Sequence, residues 1–110
     1  MRRSTKSNPR SKEAEIMPSL RYSEQSKSDL KQIARFMAND KPDAARKWVS
    51  KLRDKCRLAS QHPEIGDERP ELGDGVRSTY LGSYVIFFRR NDRFVEIVRV
   101  IRGDADKPNI

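Results

Sequence analysis

A change of hydrophobic period part-way along the chain restricts the possible folds more than any other feature. Leu30, Ile33, Ala34 and Met37 recur at i, i+3, i+4 and i+7, which places them on one face of a helix. Ala45, Trp48, Val49, Leu52, Cys56 and Ala59 form a second stripe of the same period. Only Asn39-Asp40-Lys41-Pro42 separates the stripes, and the residue before a proline is pushed out of the α region, so the first helix stops there. Pro42 suits the first turn of the second helix, Asp43 complements the positive end of its dipole, and His62-Pro63 closes it. Ser26 followed by Asp29 predicts a capping box at the start of the first helix. Two amphipathic helices with so short a joint predict an antiparallel hairpin.

Beyond Gly75 the pattern is that of strands. Val76–Leu81, Ser83–Arg90 and Arg93–Arg102 are apolar runs punctuated by Gly82 and by Asn91-Asp92, the latter a hairpin signal. Tyr84–Phe88 is apolar on both faces and reads as the central strand. Upstream, Ser19–Ser23 alternates Leu20 and Tyr22 with polar residues, which predicts a short first strand. Pro63–Gly75, with two prolines, three glycines and five acids, reads as a loop. The expected fold is therefore α+β: an N-terminal strand, a two-helix hairpin, then a three-stranded antiparallel meander with the helices on one sheet face.

The ends lack this patterning. Residues 1–16 carry five basic and two acidic side chains with no helical or strand period, so a disordered basic tail is expected. Met17 follows and is read as the working initiator, with a functional basic arm as the alternative. The folded unit is expected over residues 17–106, with 107–110 a flexible tail. The net charge of +8 favours an anionic partner without choosing among nucleic acid, acidic protein and membrane surface. Cys56, the single cysteine, allows no internal disulfide and no cysteine-based zinc site, which suits a reducing cytoplasm. No apolar run approaches a membrane span, and the basic N-terminus lacks the apolar stretch of a secretory signal. No cofactor, metal or small-molecule substrate is expected.

Several spacings together resemble the ParE branch of the RelE/ParE toxins. They are Asp29-Leu30 with Ile33, Pro42-x-Ala44-Ala45, and Pro63-x-x-Gly66 followed by Arg69. Further on come Gly75-x-Arg77, Gly82-x-Tyr84-x-Ile86-x-Phe88-Arg89 and Ile97-x-Arg99-Val100-Ile101-x-Gly103. The match spans about residues 18–106. The resemblance implies a toxin of a type II toxin–antitoxin system, bound by an antitoxin whose C-terminal segment wraps it, in a heterotetramer that reaches operator DNA only through the antitoxin. It implies DNA gyrase as the target, with ribosome-dependent mRNA cleavage of the RelE kind as the alternative. Family chains end this region with a basic pair, whereas this chain reads Arg102-Gly103-Asp104-Ala105-Asp106. A degenerate homologue that binds antitoxin without toxicity is a third reading.

Metal-free RNA cleavage needs a base for the 2′-hydroxyl, cations for the crowded phosphate and an acid for the leaving oxygen. His62, the lone histidine, sits at a helix end and reads as a C-cap. Where RelE ribonucleases carry arginines, the resemblance places Val85 and Ala105. No catalytic residue is therefore expected. The expected antitoxin contacts are Leu30, Ile33, Arg35, Phe36 and Met37 of the first helix with Arg46, Lys47 and Arg53 of the second, Phe36 lying off the main stripe. Arg77, Tyr84, Arg99 and Arg102 are the expected target contacts, with pairing to acids such as Glu96 as the structural alternative for Arg77 and Arg99.

Overall fold

The computed structural model describes residues 19–62 and 64–110, so the tail over residues 1–16 and the initiator reading of Met17 lie outside the described residues. The elements are β1 (Ser19–Tyr22), α1 (Glu24–Asp40), α2 (Pro42–Gln61), β2 (Asp67–Glu68), a 3₁₀ turn at Pro70–Leu72, β3 (Val76–Leu81), β4 (Tyr84–Arg90) and β5 (Phe94–Arg102). The five strands form one sheet in the order β1-β5-β4-β3-β2, and the α+β architecture expected from the periods is the one observed. β1 joins the meander by pairing parallel with β5, Leu20 opposite Val95 and Tyr22 opposite Ile97. β3, β4 and β5 pair antiparallel in sequence order.

The helix ends follow from local chemistry, with one correction. α1 is capped by Ser23, whose side chain accepts the Ser26 backbone N–H at 3.0 Å. The Ser26–Asp29 box does not form. Ser26 is buried inside the first turn, its hydroxyl donating to the Ser23 carbonyl, and Asp29 is engaged elsewhere. An extended Ser23 three residues earlier lets the helix begin at the sheet edge. Pro42 opens α2, and the His62 N–H donates to the Leu58 carbonyl as a C-cap.

The loop between α2 and β3 is more ordered than its composition suggests. β2 pairs Asp67 with Ser78 and Glu68 with Arg77, which covers the outer edge of β3. Gly66 has φ +87°, and a Cβ there would collide with the Ser78 carbonyl, so only glycine lets the loop approach this closely. Arg77 holds the loop from below, donating to the Gly66 carbonyl at 3.1 Å and to Glu68 at 3.2 Å.

Both faces of the sheet carry a core. Under the helices, Leu52, Cys56 and Ala59 of α2 meet Ile86, Phe88, Val95, Ile97 and Val100, with Leu30 and Ile33 of α1 packed at the margin. On the opposite face Val76, Val85 and Phe87 form a smaller cluster. β4 feeds both clusters through its alternation, as expected of a central strand. Residues 107–110 carry no helix or strand. They are not detached, however: Pro108 is buried and Ile110 packs on the second cluster. An apolar sheet face without helices requires some cover, and this segment supplies part of it. No described helix is long and apolar enough to cross a membrane.

Candidate functional site

β1 ends at Tyr22, opposite Ile97, so beyond that point β5 has no strand on its outer edge. The start of α1 satisfies that edge instead. The Ser23 N–H donates to the Ile97 carbonyl at 2.9 Å and the Ser23 hydroxyl to the Val98 carbonyl at 2.7 Å. Asp29 Oδ2 accepts both the Val100 N–H at 3.0 Å and Arg99 Nε at 2.8 Å, while Oδ1 accepts Arg99 Nη2 at 3.1 Å. The side chains are 13% and 23% exposed, which makes this the most sheltered ion pair among the described residues. The Asp29 carboxylate raises the proton affinity of the Arg99 guanidinium further above its ordinary value. A bulge at Val98, where Phe87 faces Arg99 and Phe88 faces Ile97, turns Arg99 toward α1 and keeps Val100 in the core.

This anchorage leaves a groove of about 380 Å³ between α1 and the far end of β5. Its apolar surface comes from Ile33 and Phe36 on one wall and Val100, Ile101 and Ala105 on the other. Asp29, Gln32, Arg99 and Arg102 supply the polar rim, and Tyr84 closes one side. Tyr84 is half-buried and held by Trp48, with ring centroids 5.1 Å apart at 60°. Phe36 is 71% exposed, the most exposed of the large apolar residues described. A phenyl ring left in water beside an apolar groove makes a contiguous exposed apolar patch, the kind of surface that marks interaction sites.

The groove thus joins members of both expected residue sets. Ile33 and Phe36 meet Tyr84, Arg99 and Arg102 there, whereas Leu30 packs toward the core and Met37 lies off the groove. No residue of α2 lines it. Arg46 borders a separate depression between the helices with Ala34, Ala38, Pro42, Ala45 and Val49, while Arg35, Lys47 and Arg53 are exposed and line neither. Arg77 is distant, occupied with Gly66 and Glu68. Arg99 and Arg77 do pair with acids, though with Asp29 and Glu68 rather than Glu96. The sequence reading did not assign Gln32, Ile101 and Ala105 to a binding surface, because they meet only once α1 is pinned on β5.

The opposite sheet face has a different character. A depression of about 200 Å³ is floored by Val85, Phe87 and Ile101, with Arg69, Tyr80, Arg102, Ala105 and Lys107 around it. The two positions at which RelE-like chains were expected to carry arginines, Val85 and Ala105, both lie here. The cations that do approach are engaged. Arg69 donates to Ser78 at 2.9 Å and Tyr80 at 3.2 Å, Arg102 to Asp104 at 3.1 and 3.2 Å, and Lys107 to Glu71 at 3.2 Å. A backbone hydrogen bond and then Lys107 hold Glu71 below the usual carboxylate range, and Arg102 does the same for Asp104. These carboxylates are charged at neutral pH and serve as counter-ions, not proton donors. His62 stands at the end of α2 with Glu64 at 3.9 Å, outside this depression.

Comparison with known proteins places this geometry. The profile described as the ParE toxin of the type II toxin–antitoxin system parDE matches residues 20–106. The chain belongs to the ParE toxin family. In structure this ParE-family chain is similar to a chromosomal ParDE toxin–antitoxin system from P. aeruginosa, at 25% identity and a TM-score of 0.68 over 80% of this chain and 98% of that one. It shares its fold with the RelBE2 toxin–antitoxin complex from Mycobacterium tuberculosis, at 22% identity and TM-score 0.56, covering 80% and 94%. It also shares it with the E. coli DinJ–YafQ toxin–antitoxin complex, at 16% and 0.51, covering 78% and 92%. A search of curated proteins finds no match.

Proposed function

We propose that this ParE-family chain is a toxin held inactive by an acidic antitoxin whose extended segment fills the groove between α1 and β5. Once free, it acts by binding DNA gyrase, without bond chemistry of its own. The carrying observation is Phe36, 71% exposed on the wall of an apolar groove rimmed by Arg99 and Arg102. The groove offers apolar anchors for lifetime, and the cations Arg35, Arg46, Lys47 and Arg53 around the hairpin supply a field that speeds capture of an acidic chain. The similar solved structures are toxin–antitoxin complexes, which supports a partner of this kind.

A binding mechanism is favoured by the second sheet face. Val85 and Ala105 put hydrocarbon where phosphate stabilisation is required, and Arg69, Arg102 and Lys107 are already satisfied by protein partners. Losing one well-placed electrostatic stabiliser typically costs on the order of a hundredfold in rate. The test is induced expression with parallel readouts of DNA breaks and of mRNA ends. DNA damage without early mRNA cuts supports the proposal. Codon-specific mRNA cuts soon after induction, abolished by Arg102→Ala, would establish the ribonuclease reading instead. Growth arrest with neither signal would move the target elsewhere, and no arrest would mark a degenerate homologue.

A further inference from the structure

The charge on this chain is not spread evenly over its surface. On the sheet side Arg69, Arg77, Arg99, Arg102 and Lys107 each pair with an acid, while Arg21, Arg89, Arg90 and Arg93 have no ion-pair partner among the described residues. The solvent face of α2 gathers its unpaired cations on one element. It carries Arg46, Lys47, Lys51, Arg53 and Arg57, with the half-buried Lys55 at its margin, against only Asp43 and Asp54. Asp43 and Asp54 pair with Arg46 and Arg57 respectively. Lys47, Lys51, Arg53 and Lys55 have no ion-pair partner among the described residues. Lys47, Lys51 and Lys55 stand at i, i+4 and i+8, so they form one row with steps of about 6 Å along the helix.

We infer that this face of α2 is a docking surface for the phosphate backbone of duplex nucleic acid. Its chemistry selects that occupant. The same field would attract an acidic polypeptide, but a lasting protein contact needs apolar anchors. The solvent face of α2 offers a single large apolar side chain, Leu58, 42% exposed at its C-terminal end, while Ala45, Leu52 and Cys56 are buried in the core. Single strands are held by stacking on aromatic rings, and the only aromatic of α2, Trp48, is turned against Tyr84. What remains is a straight, charge-only row suited to the densest regular polyanion, a duplex. The row holds only lysines, compact point charges suited to phosphates, so the proposed contact is indifferent to sequence. No residue of α2 lines the groove, so this surface is spatially distinct from the antitoxin's docking site, although Arg46, Lys47 and Arg53 also belong to the field that speeds antitoxin capture.

Fluorescence anisotropy of the full chain on a short duplex of arbitrary sequence, across a salt series, tests the inference. Four phosphate contacts predict a log–log slope of about −3.6 from this face, or about 150-fold weaker binding when salt rises about fourfold. The triple variant Lys47→Gln/Lys51→Gln/Lys55→Gln should flatten the total slope by about 2.7 and lower affinity at low salt. The matched variant Lys31→Gln/Arg90→Gln/Arg93→Gln removes the same charge from exposed positions elsewhere and should change both far less. Circular dichroism of both variants confirms folding. Equal losses in the two triples would reduce the effect to net charge and overturn the assignment. An unchanged slope in the α2 triple would overturn it too, as would polyglutamate binding as tightly as duplex and losing as much in that triple.

Discussion

Replacing Asp29 should destabilise the protein more than any other single change at an ion pair, because its carboxylate closes three hydrogen bonds between elements 70 residues apart. Asp29→Ala leaves Arg99 without its partner and the Val100 N–H without an acceptor. Breaking a buried pair by removing one member costs about 3–5 kcal/mol, and an orphaned buried donor about 1–3 kcal/mol. The costs overlap, and at 13% and 23% exposure water relieves part of both, so about 3 kcal/mol is expected. For a domain of this size that is a fall in Tm of about 12 °C. Asp29→Asn keeps an oxygen for the Val100 N–H while losing the charge, and should cost about half as much. Thermal and urea unfolding of Asp29→Ala, Arg99→Ala and the double variant would give the coupling, expected at about 1.5–3 kcal/mol. A loss below about 1 kcal/mol for Asp29→Ala would equate the pair with an ordinary surface contact and refute the anchoring role.

Other consequences can be checked in parallel. Phe36→Ala should leave Tm within about 2 °C, since the ring is exposed, yet speed antitoxin dissociation about 30-fold, the effect of an aromatic anchor worth about 2 kcal/mol. Lys47→Ala should slow association and flatten its salt dependence while leaving dissociation nearly unchanged, as surface binding kinetics at two salt concentrations would reveal. Gly66→Ala should cost more than about 2 kcal/mol in urea unfolding, because it combines strain at φ +87° with a clash on the Ser78 carbonyl. Burial pushes the Cys56 thiol up to about 11. The unfolded chain releases that proton first, so stability holds below about pH 9 and falls by about 2–3 kcal/mol as pH rises toward 11. Cys56→Ala should remove much of that slope in unfolding curves at high pH, and Tyr22, whose hydroxyl is also raised by burial, accounts for what remains.

The features that could be read directly were those with a local period. Leu30 to Met37 and Ala45 to Ala59 announced the hairpin, and Tyr84–Phe88 announced a strand buried on both sides. What stayed hidden depended on distant partners. Four residues of β1 carry no signal for parallel pairing with β5, and the two polar residues of β2 look like any acidic loop. The bulge at Val98 is hidden in Ile97-Val98-Arg99-Val100-Ile101, where apolar pairs flank Arg99 on both sides and one extra residue does not stand out. Asp29 was misread because S-x-x-D has a sound local meaning, while its actual partners sit on β5. The groove followed the same rule. Phe36 was recognisable as a residue off the stripe, but its opposite wall of Ile101 and Ala105 is brought near only by the Asp29–Arg99 anchor. Ile110, an apolar residue in a polar ending, has its use only on the second sheet face.

The central claim, a toxin that disables its target by binding and is switched off through the groove, meets its most direct test in a supercoiling assay with purified DNA gyrase. The free protein is expected to inhibit supercoiling or to accumulate broken DNA. Prior addition of the acidic antitoxin should abolish the effect for the native chain, and less completely for Phe36→Ala at matched concentrations. Undisturbed gyrase activity at toxin concentrations that arrest growth in cells would contradict the account, as would full antitoxin protection that ignores Phe36.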